Sequence, residues 1–142
     1  MKICTDIEQS KKLIELGIDI NTADMMWDDW SLIDEGWKLS VGYYPEIEKD
    51  YGRKCYPAWS LAALIDMLPN EISTGENFAD KYQIDIRKYD WEDGTTWYQI
   101  AYGNDRGRSG EWHDMINTGE KENIIDCCYQ IILKLKEKDL LK

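Results

Sequence analysis

The sequence predicts an α+β fold: one antiparallel sheet of three to four strands with about three helices packed on one face, in a single domain spanning residues 1–142. Three observations carry this prediction. Apolar residues repeat at helical spacing near both ends of the chain and again between Pro57 and Pro69. Residues 82–102 alternate with period two on both sides of an Asp-Gly pair. The links between the later strands are short, which favours antiparallel pairing.

The first helix is expected at about residues 6–16. Thr5-Asp6-Ile7-Glu8 reads as a capping box, with the Thr5 hydroxyl on the N3 amide and Glu8 reaching back. Ile7, Leu13, Ile14 and Leu16 form its apolar stripe. Gly17 supplies a left-handed stop, and Ile18 the apolar contact beyond it.

Residues 19–36 are acidic and aromatic, with Asp19, Asp24, Asp28, Asp29, Asp34 and Glu35 around Trp27 and Trp30, and they hold no base. Trp37 to Tyr43 alternates as a strand that ends at Tyr44-Pro45. Residues 46–56 are polar and turn-like. A second helix is expected from Pro57, which needs no amide donor in a first helical turn. Leu61, Leu64, Ile65 and Leu68 would be its buried stripe, and Pro69 its stop.

In the hairpin, Tyr82, Ile84 and Ile86 alternate with Gln83, Asp85 and Arg87, and Tyr98, Ile100 and Tyr102 share a face of the return strand. Asp93-Gly94 marks the turn. The glycine-rich loop 103–110 follows, then a short strand from Glu111 to Ile116. The last helix, about 120–138, repeats Ile124, Cys128, Ile131 and Leu135. Asn117 or Thr118 can cap it, and Lys134, Lys136 and Lys138 suit its C-terminal dipole.

Charge and cysteine usage narrow the function. The net charge is −11, with 12 acids and 5 bases in residues 1–50. Such a surface repels phosphate backbones, so no direct nucleic-acid binding is expected, while a basic protein partner suits it. No run reaches the 18 apolar residues of a membrane span, and the N-terminus lacks the apolar stretch of a signal peptide, so a cytoplasmic protein without membrane contact is expected. Cys4 and Cys55 stand alone and Cys127-Cys128 are adjacent, without a CxxC pair; they read as reduced, buried thiols.

Candidate sites follow from residue chemistry. Asp24, Asp28 and Asp29 lack the alternating ligands and central glycine of a calcium loop, as does Asp90-Trp91-Glu92-Asp93-Gly94, so no metal is expected and the first stretch reads as a solvated loop. Nor is a cofactor expected. His113 is the one histidine, with Asp114 beside it; on a strand the two point to opposite faces, so Asp114 would not orient the imidazole. Cys55 or Ser109 could act as its nucleophile, but no GxSxG elbow accompanies either. Arg106 and Arg108 make loop 103–110 a candidate anion cradle, although no Walker pattern is present. Seven Trp and nine Tyr are many for this length, and Trp27, Trp30 and Trp37 cluster around the acidic segment. These aromatics, with Arg106 and Arg108, are the expected binding residues.

Ile3-Cys4-Thr5 through Ile20-Asn21-Thr22-Ala23-Asp24-Met25, Pro57-Ala58-Trp59-Ser60-Leu61 through Leu68-Pro69, and the closing Asn123–Leu141 stretch together resemble a group of short uncharacterised proteins of Bacteroides-type gut bacteria, often found in prophage or mobile-element regions. That resemblance covers most of the chain, carries no known chemistry, and implies an accessory role in a bacterial or phage cytoplasm. The leading expectation is a non-catalytic protein-interaction or accessory protein of phage-like or mobile-element origin. The alternatives are a small enzyme centred on His113 and an acidic decoy that occupies a DNA-binding protein.

Overall fold

The computed structural model describes residues 1–31 and 36–141. Asp34 and Glu35 of the acidic segment lie outside the described residues. The fold is α+β, with antiparallel strands shared between a three-stranded and a four-stranded sheet. The chain divides into two compact units, Lys2–Leu64 and Ile65–Lys142, with Met1 grouped with the second.

In the first unit, helix α1 spans Ile7–Glu15. Its cap is Asp6, whose side chain accepts from the Gln9 amide at 2.8 Å while the Gln9 side chain returns to the Asp6 amide at 3.2 Å. The expected Thr5/Glu8 box is thus shifted by one residue. Thr5 is employed elsewhere: its buried hydroxyl accepts from the Trp59 amide at 3.1 Å and lies 2.8 Å from the Ser10 hydroxyl. Ile18 is buried and donates to Leu13 beyond a left-handed Gly17, as expected, whereas Ile14 is exposed.

Strands β1 (Met25–Asp29), β2 (Trp37–Val41) and β3 (Cys55–Ala58) form the three-stranded sheet in the order β2-β1-β3. The expected solvated loop is therefore a central strand. Short helix α2 (Glu46–Tyr51) precedes β3. Pro57 belongs to β3, and the second helix, α3, starts later, at Leu61–Met67. The reason is register. The Lys54 carbonyl accepts from the Asp29 amide, so the alternate residues Cys55 and Pro57 turn their backbone amide positions away from β1. A proline costs no ladder bond on that side of an edge strand. Ser60 caps α3 instead, its hydroxyl 3.3 Å from the Ala63 amide, and the Asp24 carboxylate in turn accepts from the Ser60 amide at 2.8 Å. Leu64 and Leu68 are buried as expected; Ile65 is not.

The second unit holds β4 (Glu71–Ser73), β5 (Lys81–Asp90), β6 (Thr96–Asn104) and β7 (His113–Asn117), in the order β4-β5-β6-β7. The β5–β6 turn has Gly94 at φ +83° and the Asp93 side chain on the Thr95 amide at 2.9 Å. Helix α4 (Ile124–Glu137) lies against β6 and β7. Its stripe, Ile125, Cys128, Ile131, Ile132 and Leu135, is buried, as are Ile100, Tyr102 and Ile116 of the sheet. The cap is Asn123, which accepts from the Ile125 amide at 2.7 Å, not Asn117 or Thr118. The Thr118 hydroxyl is buried and accepts from the Ile100 amide at 3.1 Å, which holds that segment on the sheet.

Candidate functional site

Side chains on a strand alternate between faces, so register decides which residues meet. In the three-stranded sheet, Trp27 lies opposite both Leu39 and Tyr56, and Trp37 opposite Asp29, so Trp27, Trp37 and Tyr56 share a face. The Trp37 and Tyr56 rings are 5.5 Å apart, and Lys11 of α1 sits 5.1 Å over Tyr56. Trp27 is half-buried and donates its indole N–H to the Thr5 carbonyl at 2.9 Å, a structural task.

Trp30 works on the other face. Its indole donates to the Asp28 carboxylate at 3.0 Å, and Asp28 also accepts from Arg53 Nε at 3.2 Å and Nη2 at 3.1 Å. The Arg53 guanidinium stacks 4.2 Å from the Trp30 ring centroid, with Lys38 at 5.0 Å. Asp28 keeps only 7% of its side chain in solvent. A carboxylate this buried persists because three donors replace its water. The same bonds hold Arg53 more firmly protonated. The expected Trp27–Trp30–Trp37 cluster is thus split between two faces, and Trp30 is committed to a buried ion pair.

A larger arrangement occupies the open face of the four-stranded sheet, opposite α4. Paired neighbours Tyr89–Trp97, Arg87–Gln99 and Asp85–Ala101 put Arg87 near its centre. Arg87 Nε donates to Asp85 at 2.7 Å, Nη1 to Gln99 at 3.0 Å, and Nη1 and Nη2 to the two Asp114 oxygens at 2.9 and 2.6 Å. Asp114 accepts further from the Trp112 indole at 2.8 Å. Trp112 lies over Gly103: a Cβ there would come within 2.6 Å of the indole Nε1 and would collide with the His113 carbonyl. Gly103 therefore makes room for the ring. The Arg87 bonds, aided by Trp112 and Asn117, hold the Asp114 carboxyl below the usual carboxylate range. Tyr89 and Trp112, which touch this network through Gln99 and Asp114, are 37% and 41% exposed, and Trp91 at the tip of the β5–β6 hairpin is 53% exposed.

His113 and Arg106 line a cleft of about 340 Å3 with Tyr82, Asn104 and Asp114. The Ser109 hydroxyl stands 3.4 Å from His113 Nε2, a long contact. Asp114 is spent on Arg87, Trp112 and Asn117. Arg106 donates to the Phe78 carbonyl at 2.6 Å and stacks 3.5 Å from the Phe78 ring centroid, so it braces the 78–81 turn. Arg108 is exposed in the loop.

All four cysteines are buried and unpaired, and burial pushes each thiol up, Cys128 to about 12. They therefore stay protonated near neutrality and are poor nucleophiles. Among the described residues no cluster of His, Cys, Asp or Glu could hold a metal ion, and no helix is long and apolar enough to cross a membrane.

Sequence reading places Trp112 only among the aromatics near the hairpin and misses Arg53 and Arg87 as site residues. A local signal exists for the indole–carboxylate pairs alone: Asp28-x-Trp30 and Trp112-x-Asp114 have the two-residue spacing that keeps both side chains on one face of an extended segment. Compared with protein-family models, curated proteins and solved structures, the chain gives no match.

Proposed function

We propose that the protein is a non-catalytic interaction protein that binds a protein partner through the open face of its four-stranded sheet. The observation that carries this reading is that exposed Tyr89 and Trp112 rest on the mutually satisfied Arg87–Asp85–Asp114 network, Tyr89 through Gln99 and Trp112 through Asp114. Tyr and Trp offer large contact area at little rotamer cost and serve as interface anchors. The charges between them are already paired, so a partner need not cover an uncompensated ion.

The net charge of −11 favours a partner with a basic surface and disfavours a nucleic-acid ligand. Four buried, unpaired thiols support a reducing cytoplasm. The resemblance to short proteins of prophage and mobile-element regions supports an accessory role there.

The test starts from a partner captured out of bacterial lysate and identified, followed by affinity measurement with purified components. Two anchors worth ~1 kcal/mol or more each predict that Tyr89→Ala with Trp112→Ala weakens binding at least about thirtyfold. Trp37→Ala, in the other sheet, should leave it unchanged. Unchanged affinity in the double variant sinks the reading, and loss in Trp37→Ala alone moves the surface to the three-stranded sheet.

A further inference from the structure

We infer that a groove beside strand β4 takes a basic, extended peptide segment, which adds to the four-stranded sheet as a fifth strand. This surface is separate from the open sheet face, and the inference rests on the groove's own geometry.

The groove encloses about 490 Å3, within the range of sites that hold small ligands or a few side chains. Buried Leu68, Ile72 and Leu141 line it, and exposed Asp66, Glu71 and Asp139 add three carboxylates to the same lining. Asp66 and Asp139 have no ion-pair partner among the described residues. Among the described residues Glu71 pairs with Lys81 at 3.8 Å, with both side chains more than 40% exposed, a pair that a better-placed cation can replace at little cost.

β4 is also an edge strand. The Asn70 carbonyl accepts from the Ile84 amide, and the Thr74 amide donates to the Asp80 carbonyl. In an antiparallel ladder these bonds fall on alternate residues, so Asn70, Ile72 and Thr74 face β5. Glu71 and Ser73 then turn their backbone N–H and C=O groups outward, where an incoming strand can pair with them. An added strand places alternate side chains on one side, so apolar residues can enter the groove while Lys or Arg residues meet the carboxylates. Charge complementarity thus selects a basic segment and rejects an acidic one.

The probe is an acetylated, fluorescently labelled eight-residue peptide of alternating Lys and Val, with a Glu-Val peptide as its counterpart. Titration of the full chain should show the Lys-Val peptide binding with a Kd of about 100 µM or tighter at low salt, weakening as salt screens the carboxylates. The amide resonances of Glu71, Ile72, Ser73 and Leu141 should shift. The triple variant Asp66→Asn, Glu71→Gln, Asp139→Asn should lose at least about tenfold in affinity. Those substitutions are close to isosteric, and Asn tolerates the left-handed φ of +56° at residue 139. Mapping the unaltered protein makes the test independent of how the variant folds. The inference is overturned if neither peptide binds, if the Glu-Val peptide binds as well, or if the shifts fall elsewhere. It is also overturned if the groove proves to be filled by a second copy of this chain in solution.

Discussion

In residues 2–64 the Asp28 carboxylate takes two guanidinium bonds from Arg53 and an indole N–H from Trp30; in residues 65–141 the Asp114 carboxylate takes the same three from Arg87 and Trp112. Their surroundings differ. The Asp28 side chain is 7% exposed and Asp114 19%. Trp30 closes over its own arginine, whereas Trp112 lies over Gly103 and keeps 41% of its surface open. Among the described residues Arg53 pairs with the one carboxylate of Asp28, whereas Arg87 has a second in Asp85. The same three groups act as a staple where they are covered, and as a rigid platform for exposed aromatics where they are not.

Arg53→Met separates the two clusters most strongly. It removes both guanidinium bonds from a buried carboxylate, and a buried charge stripped of its partner is among the costliest single changes. The midpoint of thermal unfolding should fall by roughly 10 °C. Arg87→Met should cost about half as much, because Asp114 keeps bonds from Trp112 and Asn117 and is partly hydrated. Equal losses in a pair of thermal melts would remove the distinction between staple and platform.

The platform should also reveal itself in acid. The folded carboxyl of Asp114 lies below its ordinary value of 3.8, chiefly through Arg87. A lowered folded value means that its stabilisation is present above the unfolded value and lost as pH falls through the folded one. Urea unfolding of the wild type should therefore lose stability below about pH 4 more steeply than unfolding of Asp114→Asn. Parallel curves would mean that the Arg87 bonds do not bias this titration. At the alkaline end the sign reverses. Burial raises Tyr102, Cys127 and Cys128, so the unfolded chain releases their protons first, and stability should decline as pH rises above about 9.

How far each region could be read from sequence follows the same division between local and long-range causes. α1, α4 and the β5–β6 hairpin carry their own periodicity in Leu13, in Ile131 and Leu135, and in the alternation around Ile84 and Ile100. β1 does not, because Asp28 stands at one of its two buried positions and is explained only by Arg53, 25 residues away. β3 hides behind Pro57, whose tolerance depends on which strand edge its nitrogen faces. β4 has three residues and a single apolar one, Ile72. The site is less legible still. Arg87 looks like any outward polar residue of an alternating strand until Asp114 reaches it from 27 residues away. The Trp27–Trp30–Trp37 grouping came from nearness along the chain, which a strand of alternating faces does not preserve.

The smallest expected effects sharpen the comparison furthest. Trp30→Phe removes a donor from a buried carboxylate and weakens the stacking on Arg53, so it should cost about 1–2 kcal/mol. In Trp112→Phe the lost bond is partly replaced by water, because the ring is 41% exposed and Asp114 keeps both Arg87 bonds; the cost should stay below about 1 kcal/mol. Chemical denaturation of the two variants at neutral pH measures the difference directly. If Trp112→Phe costs as much as Trp30→Phe, the second indole is a staple too, and its exposed face is not spare surface for a partner. If it costs little, then any larger loss of partner binding in that variant comes from the contact itself, since the platform beneath it is still held by Arg87.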